Sequence, residues 1–489
     1  MRAAIAAESA GIPSVSIVCE GFDGQASATA RGHGHEGLPL AVTVGHVDAQ
    51  TADERVHNFV NVTVDQVIAG LVDSDADRSG PSPTASGAVG EPAALDVVIA
   101  GGIDDVQADF IARGWTDGHP VVPPTRDRVE ALLDDAGHDP WRSLGVAASS
   151  GRDVTIWSLA VNAVMAGCGR AHLPVLLAVA DSLLESAYGV EHSGNTTGAD
   201  ALVVASGPGL AELGLTAGPG AQREGVHANT SIGRWLRLVL RNVFGFTADA
   251  HDKATFGNPA RPVLVEHHDV LDEIGWPSLA DEIVTETIET TDTREATTSP
   301  DALCIARMNS GNIIGSVVGA TPDEMVPYLA DGLVRTASWD LTHVHGLGRD
   351  QFSPLLVLSP VLARTLARAG WSKRDLRVAL WDQARITANA FERYIGDWSN
   401  LTAGRPRLVD LAREGVLPEV FGASDDPDRL VPIVCRADRI RIAVAGDPHR
   451  TNAYAFSNDG PHGWWTGRRI DHSPGTDLIC SIDGSCAVG

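Results

Sequence analysis

The sequence predicts an α/β protein: a small flavodoxin- or Rossmann-like parallel-sheet domain, completed by the C-terminal strand, and a larger α/β (α+β) domain. Short apolar runs typical of buried strands, such as residues 15–18 and 40–44, alternate with helical patterns along the chain. A stretch rich in Ser, Pro, Gly and Asp, residues 73–92, separates a short N-terminal part from a long remainder. These two observations define the expected architecture.

Composition limits the classes of partner. The chain has 489 residues and a formal net charge of −26, which argues against binding to a nucleic-acid backbone or an anionic membrane surface. No signal peptide or apolar run of membrane length is recognisable. The six cysteines are widely and irregularly spaced, which favours reduced thiols in the cytoplasm. We therefore expect a cytoplasmic protein with a small-molecule substrate, and the composition leaves a homo-oligomer open.

The N-terminal domain, residues 1–72, begins inside a helix. The segment at residues 2–10 reads as a helix in which Ala3, Ala4, Ile5, Ala7 and Ala10 are small or apolar, and Gly11 is placed to end it. A strand at residues 14–18 follows and ends at Cys19. The carboxyl ends of parallel strands are where open α/β sheets bind ligands, so Cys19 is a candidate catalytic residue. His33 and His35 follow in a Gly-rich stretch, where we expect solvated histidines.

The two chain ends suggest a common unit. A helix that runs straight into a buried strand lacks the strand that should precede it. The apolar run at residues 478–482 ends in Asp483, Gly484, Ser485 and Cys486. We therefore predict that residues 476–489 complete the N-terminal domain, with residues 478–482 pairing in parallel with residues 14–18. Cys486 would then lie near the start of the first helix.

The remaining boundaries follow from composition. Residues 73–94 should form a flexible linker that proteases cut first, because they contain almost no large apolar side chain. Residues 95–475 form the large domain. An acidic, Thr-rich connection, residues 281–301, divides it into two expected subdomains, 95–290 and 300–475.

An anion site is predicted within residues 216–241. A Gly-rich loop leads there into a helix on which Arg234, Arg237 and Arg241 share one face, and Asn229 is a candidate cap. Lys253 follows shortly afterwards. The alternative is a solvated basic face. No Walker-type or GxGxxG pattern occurs, so nucleotide binding is unsupported and no cofactor is assigned.

A second pair of residues suggests a metal. His343 and His345 occupy alternate positions in a segment expected to be extended, which would point both imidazoles the same way. No third ligand is evident in the sequence.

Several strings resemble the UGSC-type (seleno)protein family. They are TDGHPVVPPT, NAVMAGC, LVVASGPG, NTSIGRWLRLVLRN, DKATFGNP and LSPVLARTLARAGWSKRDLR in the long part, and AGIPSVSIVCEGF near the N-terminus. The family signature, as the resemblance implies it, is a strand followed by X-Gly-Ser-Cys ahead of the first helix, where X is selenocysteine or cysteine.

This chain departs from that pattern in two ways. Asp-Gly-Ser-Cys stands at the C-terminus, which looks like a circular permutation; the alternative is a misplaced start codon and a chance Gly-Ser-Cys. Asp483 occupies the position of the redox-active selenium or sulfur, so a dithiol role within the motif is in doubt. The resemblance leaves Cys486 as the single thiol of the motif.

Three functions follow as hypotheses. The first is a cysteine-dependent enzyme acting on a small anionic metabolite, with carbon–heteroatom bond cleavage or transfer preferred. Cys486 would be the nucleophile and Asp483 a proton carrier, with Cys19 as the competing thiol. Substrate binding would involve Gly484, Ser485, Asn229, Arg234, Arg237 and Lys253. The second is a metal-dependent lyase or hydratase using His343 and His345, and the third is a non-catalytic binding protein that has lost the redox residue.

Overall fold

A computed structural model describes residues 2–32, 34–35, 37–72, 92–134, 137–247, 251–257, 263–291, 299–399, 404–460, 463–472, 478–480 and 486–488. We refer to residues 2–72 as the first unit and to residues 92–472 as the second unit. The predicted linker, residues 73–94, lies almost wholly outside the described residues. No helix in the described ranges is long and apolar enough to cross a membrane.

The first unit is a small α/β arrangement around two parallel strands. Its elements are α1 (Arg2–Ser9), β1 (Ser16–Cys19), α2 (Asp23–Gly32), β2 (Leu40–Thr43), α3 (Ala52–Asn58) and α4 (Val64–Val72). Gly11 ends α1 with a φ of 74°, a left-handed conformation that glycine adopts without strain. β1 and β2 pair in parallel, with Cys19 opposite Thr43. The predicted helix–strand start and the strand at residues 40–44 are therefore present.

The C-terminal residues form a hairpin of their own. β14 (Leu478–Cys480) pairs antiparallel with β15 (Cys486–Val488), and Cys480 lies opposite Cys486 in the register. Among the described residues, β1 pairs with β2 and β14 pairs with β15. The parallel pairing of residues 478–482 with residues 14–18, by which residues 476–489 would complete the N-terminal domain, stays a prediction.

The second unit is built on one mixed sheet. Its strands are β3 (Ser143–Val146), β4 (Asp153–Thr155), β5 (Asp200–Ser206), β6 (Leu264–Val265), β7 (Ala302–Ile314), β8 (Leu355–Leu358), β9 (Arg385–Thr387), β10 (Leu430–Pro432), β11 (Arg441–Val444), β12 (Ala453–Asn458) and β13 (Thr466–Arg469). Seven of them form the sheet in the order β11-β8-β12-β7-β5-β6, with β13 also pairing with β7. Both expected subdomains thus contribute strands to the same sheet.

Helices cover this sheet. They are α5 (Ile103–Ala112), α6 (Arg126–Leu133), α7 (Ile156–Ala166), α8 (Leu173–Leu184), α9 (His227–Asn242), α10 (His268–Ile274), α11 (Leu279–Thr291), α12 (Pro322–Thr336), α13 (Pro360–Arg368), α14 (Lys373–Gln383), α15 (Ala388–Glu392) and α16 (Leu408–Arg413). Alternate side chains of β7 pack into different apolar clusters. Leu303 and Ile305 pack with α7, α8 and α9, whereas Cys304 and Ala306 belong to a separate apolar cluster.

Three local features are visible only in the structure. Residues 23–32 form α2, because the Ala-rich sequence after Asp23 has high helix propensity. The acidic connection is helical as far as Thr291, in α11. LCIARM and the first four residues of GNIIGSVVGA lie in one 13-residue strand, β7.

Candidate functional site

Cys19 lies at the carboxyl end of β1, where the chain turns into α2. Its carbonyl oxygen accepts a hydrogen bond from the Phe22 N–H (3.0 Å), and α2 begins at Asp23. Cys19 is half-buried, and its thiol is free. A thiol at this edge is placed as ligand-contacting groups are placed in open parallel sheets.

Acid–base groups share this edge with Cys19. The Glu20 N–H donates to the Thr43 carbonyl oxygen (3.1 Å), and the Glu20 Oε2 accepts from the Gly45 N–H (2.9 Å). The ring centroids of Phe22 and His46 are 6.1 Å apart. The buried Thr43 hydroxyl has no hydrogen-bond partner among the residues that the structure describes. The edge thus combines a thiol, a carboxylate, an imidazole and a hydroxyl.

The other cysteines with described side chains are poor nucleophiles. Cys168, Cys304 and Cys435 are all buried. Burial raises the pKa of Cys168 to about 12 and that of Cys304 well above its usual value. Burial, reinforced by the charge of Asp350, raises the pKa of Cys435 to about 12. Because the thiolate is the reactive form, these three thiols are inert at neutral pH.

The C-terminal signature is only partly within the described residues. Asp483, Gly484 and Ser485 lie outside them, and for Cys486 the structure gives only the backbone pairing opposite Cys480. Among the residues that the structure describes, sheet pairing does not join this hairpin to the edge that carries Cys19.

Asn229 has a structural role in place of the predicted cap. It is buried in the first turn of α9, and the position before that helix is Val226. Its Nδ2 donates to the carbonyl oxygens of Thr216 and Val263 (3.0 Å each), while its Oδ1 accepts from the Thr216 N–H (3.1 Å). All three bonds are internal, so Asn229 joins the Gly-rich loop to the segment before β6.

The arginines of α9 make bonds within the protein. Arg234 forms a two-pronged ion pair with Asp117 (3.0 and 2.9 Å), and Arg237 pairs with Asp200. Burial raises the pKa of the Asp117 carboxyl, but the hydrogen bond and charge of Arg234 outweigh burial and the net pKa is lowered. Arg241 donates to the Gly114 carbonyl oxygen. This face therefore attaches α9 to neighbouring segments of the protein. The acidic Asp117 in TDGHP is the sequence signal that could have indicated such an ion pair.

Lys253 lies among other basic groups. Burial lowers the pKa of His251, and the charges of Arg31, Arg152 and Lys253 lower it further. Arg31 belongs to α2 of the first unit, whereas the others belong to the second unit. Sequence reasoning singled out only Lys253, because Arg31 and Arg152 are far from it along the chain and His251 carries no charge pattern of its own.

A tight backbone contact holds the Lys253 segment in place. The N–H groups of Lys253 and Thr255 donate to the carbonyl oxygens of Gly194 and Thr196 (3.0 and 2.9 Å). A Cβ atom on Gly198 would stand 1.7 Å from the Phe256 carbonyl oxygen. Only glycine therefore permits this approach, which explains part of the Gly/Thr pattern of residues 193–198.

His343 and His345 do not share an extended segment. His343 ends a 3₁₀ helix, Trp339–His343, and is buried; its Nδ1 accepts from the Gly460 N–H (3.3 Å). His345 follows in a turn and is half-buried. Within the described ranges, no group of three or more His, Cys, Asp and Glu side chains is arranged to hold a metal ion. The geometry expected for a metal pair was wrong.

Comparison with known proteins finds a family that the first unit resembles. A search of curated proteins finds no match to this chain. Residues 1–73 match the model of the UGSC family. The matched segment contains β1, β2 and Cys19 and extends one residue past α4. The N-terminal part of the chain is therefore similar to the UGSC family, as the motif AGIPSVSIVCEGF indicated.

Proposed function

We propose that this protein is a thiol-dependent enzyme acting on a small anionic metabolite, with carbon–heteroatom bond cleavage or transfer as the preferred chemistry. The position of Cys19 is the main support. Of the four cysteines whose side chains are described, Cys19 alone is not buried. It stands at the carboxyl edge of a parallel sheet within the segment that matches the UGSC family.

The proposed reaction starts with a thiolate attacking a carbon atom that bears a heteroatom leaving group. Glu20 and His46, at the same edge as Cys19, are suited to deliver or accept the protons that such a displacement moves. Thr43 offers a buried hydroxyl in register with Cys19. The loss of the motif dithiol at Asp483 is what favours this chemistry over thiol–disulfide exchange.

Cys486 is the second candidate nucleophile, because the Gly-Ser-Cys sequence favours it. In that version Asp483 carries the proton, Gly484 and Ser485 contact the substrate, and the chain is a circular permutant of the family arrangement. The two assignments of the nucleophile predict different effects of single substitutions, so an experiment can distinguish them.

The proposed anionic character of the substrate rests on a local exception to the charge of the protein. The net charge is −26, yet the charges of Arg31, Arg152 and Lys253 all act on His251 and lower its pKa. We propose that this basic group attracts anions to the region around His251. Asn229, Arg234 and Arg237 have internal partners and are not part of this proposal.

The test uses mass spectrometry to follow the turnover of metabolites in a cell extract to which the protein is added. We expect the unmodified protein to consume an anionic metabolite and the Cys19→Ser variant not to do so. Cys480→Ser is the matched control, since it removes a thiol from the C-terminal hairpin without touching the signature. Loss of activity in Cys486→Ser alone would assign the nucleophile to Cys486.

Two outcomes would reject thiol catalysis. Full activity in both Cys19→Ser and Cys486→Ser, with loss of activity on chelation, would favour the metal-dependent lyase or hydratase. Depletion of a metabolite by binding, with no product formed, would favour the non-catalytic binding protein.

A further inference from the structure

An apolar surface of the first unit is left uncovered by the residues that the structure describes. The buried apolar side chains of this unit, among those described, are four alanines: Ala4, Ala26, Ala30 and Ala41. No residue of the first unit belongs to an apolar cluster formed by the described residues. Exposed large apolar side chains that lie together mark an interaction site.

The exposed apolar residues lie on one long helix. α3 and α4 are joined by a π turn, Phe59–Thr63, and the three run without a break from residue 52 to residue 72. The Val64 N–H donates to the Phe59 carbonyl oxygen, so this turn is one residue wider than an α turn. An apolar residue recurs at every fourth position, and we call these five residues the apolar stripe: Val56, Val60, Val64, Ile68 and Val72.

The π turn keeps the apolar stripe on one side of the helix. In a regular α-helix, residues four apart drift around the axis by about 40° per step. Four residues fall short of a full π turn, so this segment offsets the drift. Four members of the stripe are between 54% and 69% exposed, and Val64 is half-buried. The stripe therefore faces outward along the whole helix, over about 30 Å.

The opposite side of this helix contacts the rest of the first unit through small and polar residues. The Gln66 Oε1 accepts from the Val42 N–H (2.9 Å), and its Nε2 donates to the Val42 carbonyl oxygen (3.1 Å). Gly70 lies against Val15, since a Cβ atom there would stand 2.8 Å from a Val15 methyl group. Thr63 is buried. The helix cannot turn its apolar stripe inward without breaking these contacts, so the stripe is available to another molecule.

The charge of the helix narrows the class of partner. Between residues 52 and 72 it carries Asp53, Glu54 and Asp65 but only one arginine, Arg55. This excess of negative charge and the net charge of −26 would repel an anionic membrane or a nucleic acid. The surface of a folded protein is the partner that fits.

The apolar stripe is complementary to itself. Two identical helices, packed antiparallel about a two-fold axis at Val64, place Val56 against Val72 and Val60 against Ile68. Every contact along the stripe is then apolar. The same patch serves both copies in such a pair, and two-fold dimers are the commonest soluble oligomers.

The size of this surface also fits a dimer. Phe59 and Leu71, which are 42% and 43% exposed, widen the stripe. A third of the circumference of a helix about 11 Å across, over about 30 Å, is about 350 Å². If this apolar area is about 65% of the interface, as in homodimers, two copies bury about 1,100 Å² in total, which exceeds the roughly 1,000 Å² that a specific interface needs.

We propose that the helix of residues 52–72 packs against the same helix of a second copy of this chain, antiparallel about an axis near Val64. On the flank of the stripe, Asn61 then lies near Asp65 of the other copy, a hydrogen-bond donor near an acceptor. Such a dimer does not depend on thiol chemistry at Cys19 or Cys486.

Sedimentation velocity of the full chain over a range of concentrations measures the dimer. We expect the unmodified chain to sediment as a dimer that dissociates on dilution. Val60→Glu and Ile68→Lys should each raise the dissociation constant by at least about a hundredfold, because each places two unpaired charges in the apolar interface. Far-UV circular dichroism should not change, since both side chains are exposed in the single chain.

An equimolar mixture of Val60→Glu and Ile68→Lys tests the antiparallel register. In the mixed dimer, the introduced carboxylate at position 60 of one copy faces the introduced ammonium at position 68 of the other. The unmodified Ile68 and Val60 then face each other, so the mixture should dimerise more tightly than either variant alone. The matched control is Val378→Glu, which changes a 50% exposed valine of α14 in the second unit and should dimerise as the unmodified chain does.

Three results would overturn the proposal. An unmodified chain that stays monomeric would leave the stripe to another segment of the chain or to a different protein. An unchanged dimer in both single variants would place the interface elsewhere. Monomeric single variants whose mixture also stays monomeric would exclude the antiparallel pairing of Val60 with Ile68.

Discussion

Replacing Asn229 by Ala tests whether this residue holds the structure together or binds an anion. Asn229 is 5% exposed and makes three hydrogen bonds, all to the backbone of Thr216 and Val263. The substitution leaves one N–H and two carbonyl oxygens without these partners. An unsatisfied buried group costs about 1–3 kcal/mol. We take the low end, about 1 kcal/mol, for each of the three groups, because the Gly-rich loop can admit water. The free energy of unfolding should therefore fall by about 3 kcal/mol in total.

Tryptophan fluorescence during urea unfolding measures this loss. All eleven tryptophans lie in the second unit, so the signal reports the unit that contains Asn229. The midpoint should fall with little change in the slope of the transition. Thr230→Ala is the matched control. Its hydroxyl accepts one bond, from the Gly225 N–H (3.2 Å), and should cost about 1 kcal/mol or less. An unchanged midpoint in Asn229→Ala, together with lost anion binding, would refute the structural role.

Three further experiments have expected outcomes. Burial raises the pKa of Glu266 from 4.5 to about 7, so the folded protein holds this proton more tightly than the unfolded chain. Stability from this group is complete below about pH 4.5 and falls by about 3 kcal/mol as the pH rises through 7; Glu266→Gln should remove that slope in urea titrations at several pH values. Gly198→Ala should disorder the segment that it holds against the Phe256 carbonyl oxygen, seen as faster hydrogen exchange there; unchanged exchange contradicts the packing argument. A double-mutant cycle on Arg234→Ala and Asp117→Asn should give a coupling of about 1 kcal/mol, whereas zero coupling would mean that the pair does not form in solution.

Local structure was predictable where local chemistry decides it. The helix at residues 2–10 matches α1, and the strand at residues 40–44 matches β2, each within one residue. Gly11 after the first and the apolar run of the second are signals contained in a few neighbouring residues. Helix α2 was missed because the surrounding glycines and histidines suggested a loop, although its Ala-rich centre favours a helix.

Long-range partners were not predictable from spacing. The charge of Arg234 is compensated by Asp117, more than a hundred residues earlier, and β5 pairs antiparallel with β7, about a hundred residues later. The three arginines of α9 do share a face, but no pattern within the helix shows what that face contacts. The candidate anion site therefore shifted from α9 to Lys253 and the basic residues around it.

The C-terminal residues show the same limit. The last apolar run does form a strand, β14, and its partner among the described residues is β15. Pairing between the two ends of the chain stays a prediction, because spacing alone does not identify the partner of a strand.

The most direct measurement is peptide mapping of the full chain after labelling with a limiting amount of iodoacetamide at neutral pH. We predict that Cys19 is labelled ahead of Cys168, Cys304 and Cys435, because burial raises the pKa of those three thiols. Preferential labelling of Cys486 would move the reactive thiol to the C-terminal signature and keep thiol catalysis. Labelling of a buried cysteine first, with Cys19 and Cys486 both unmodified, would contradict a reactive thiol in either place.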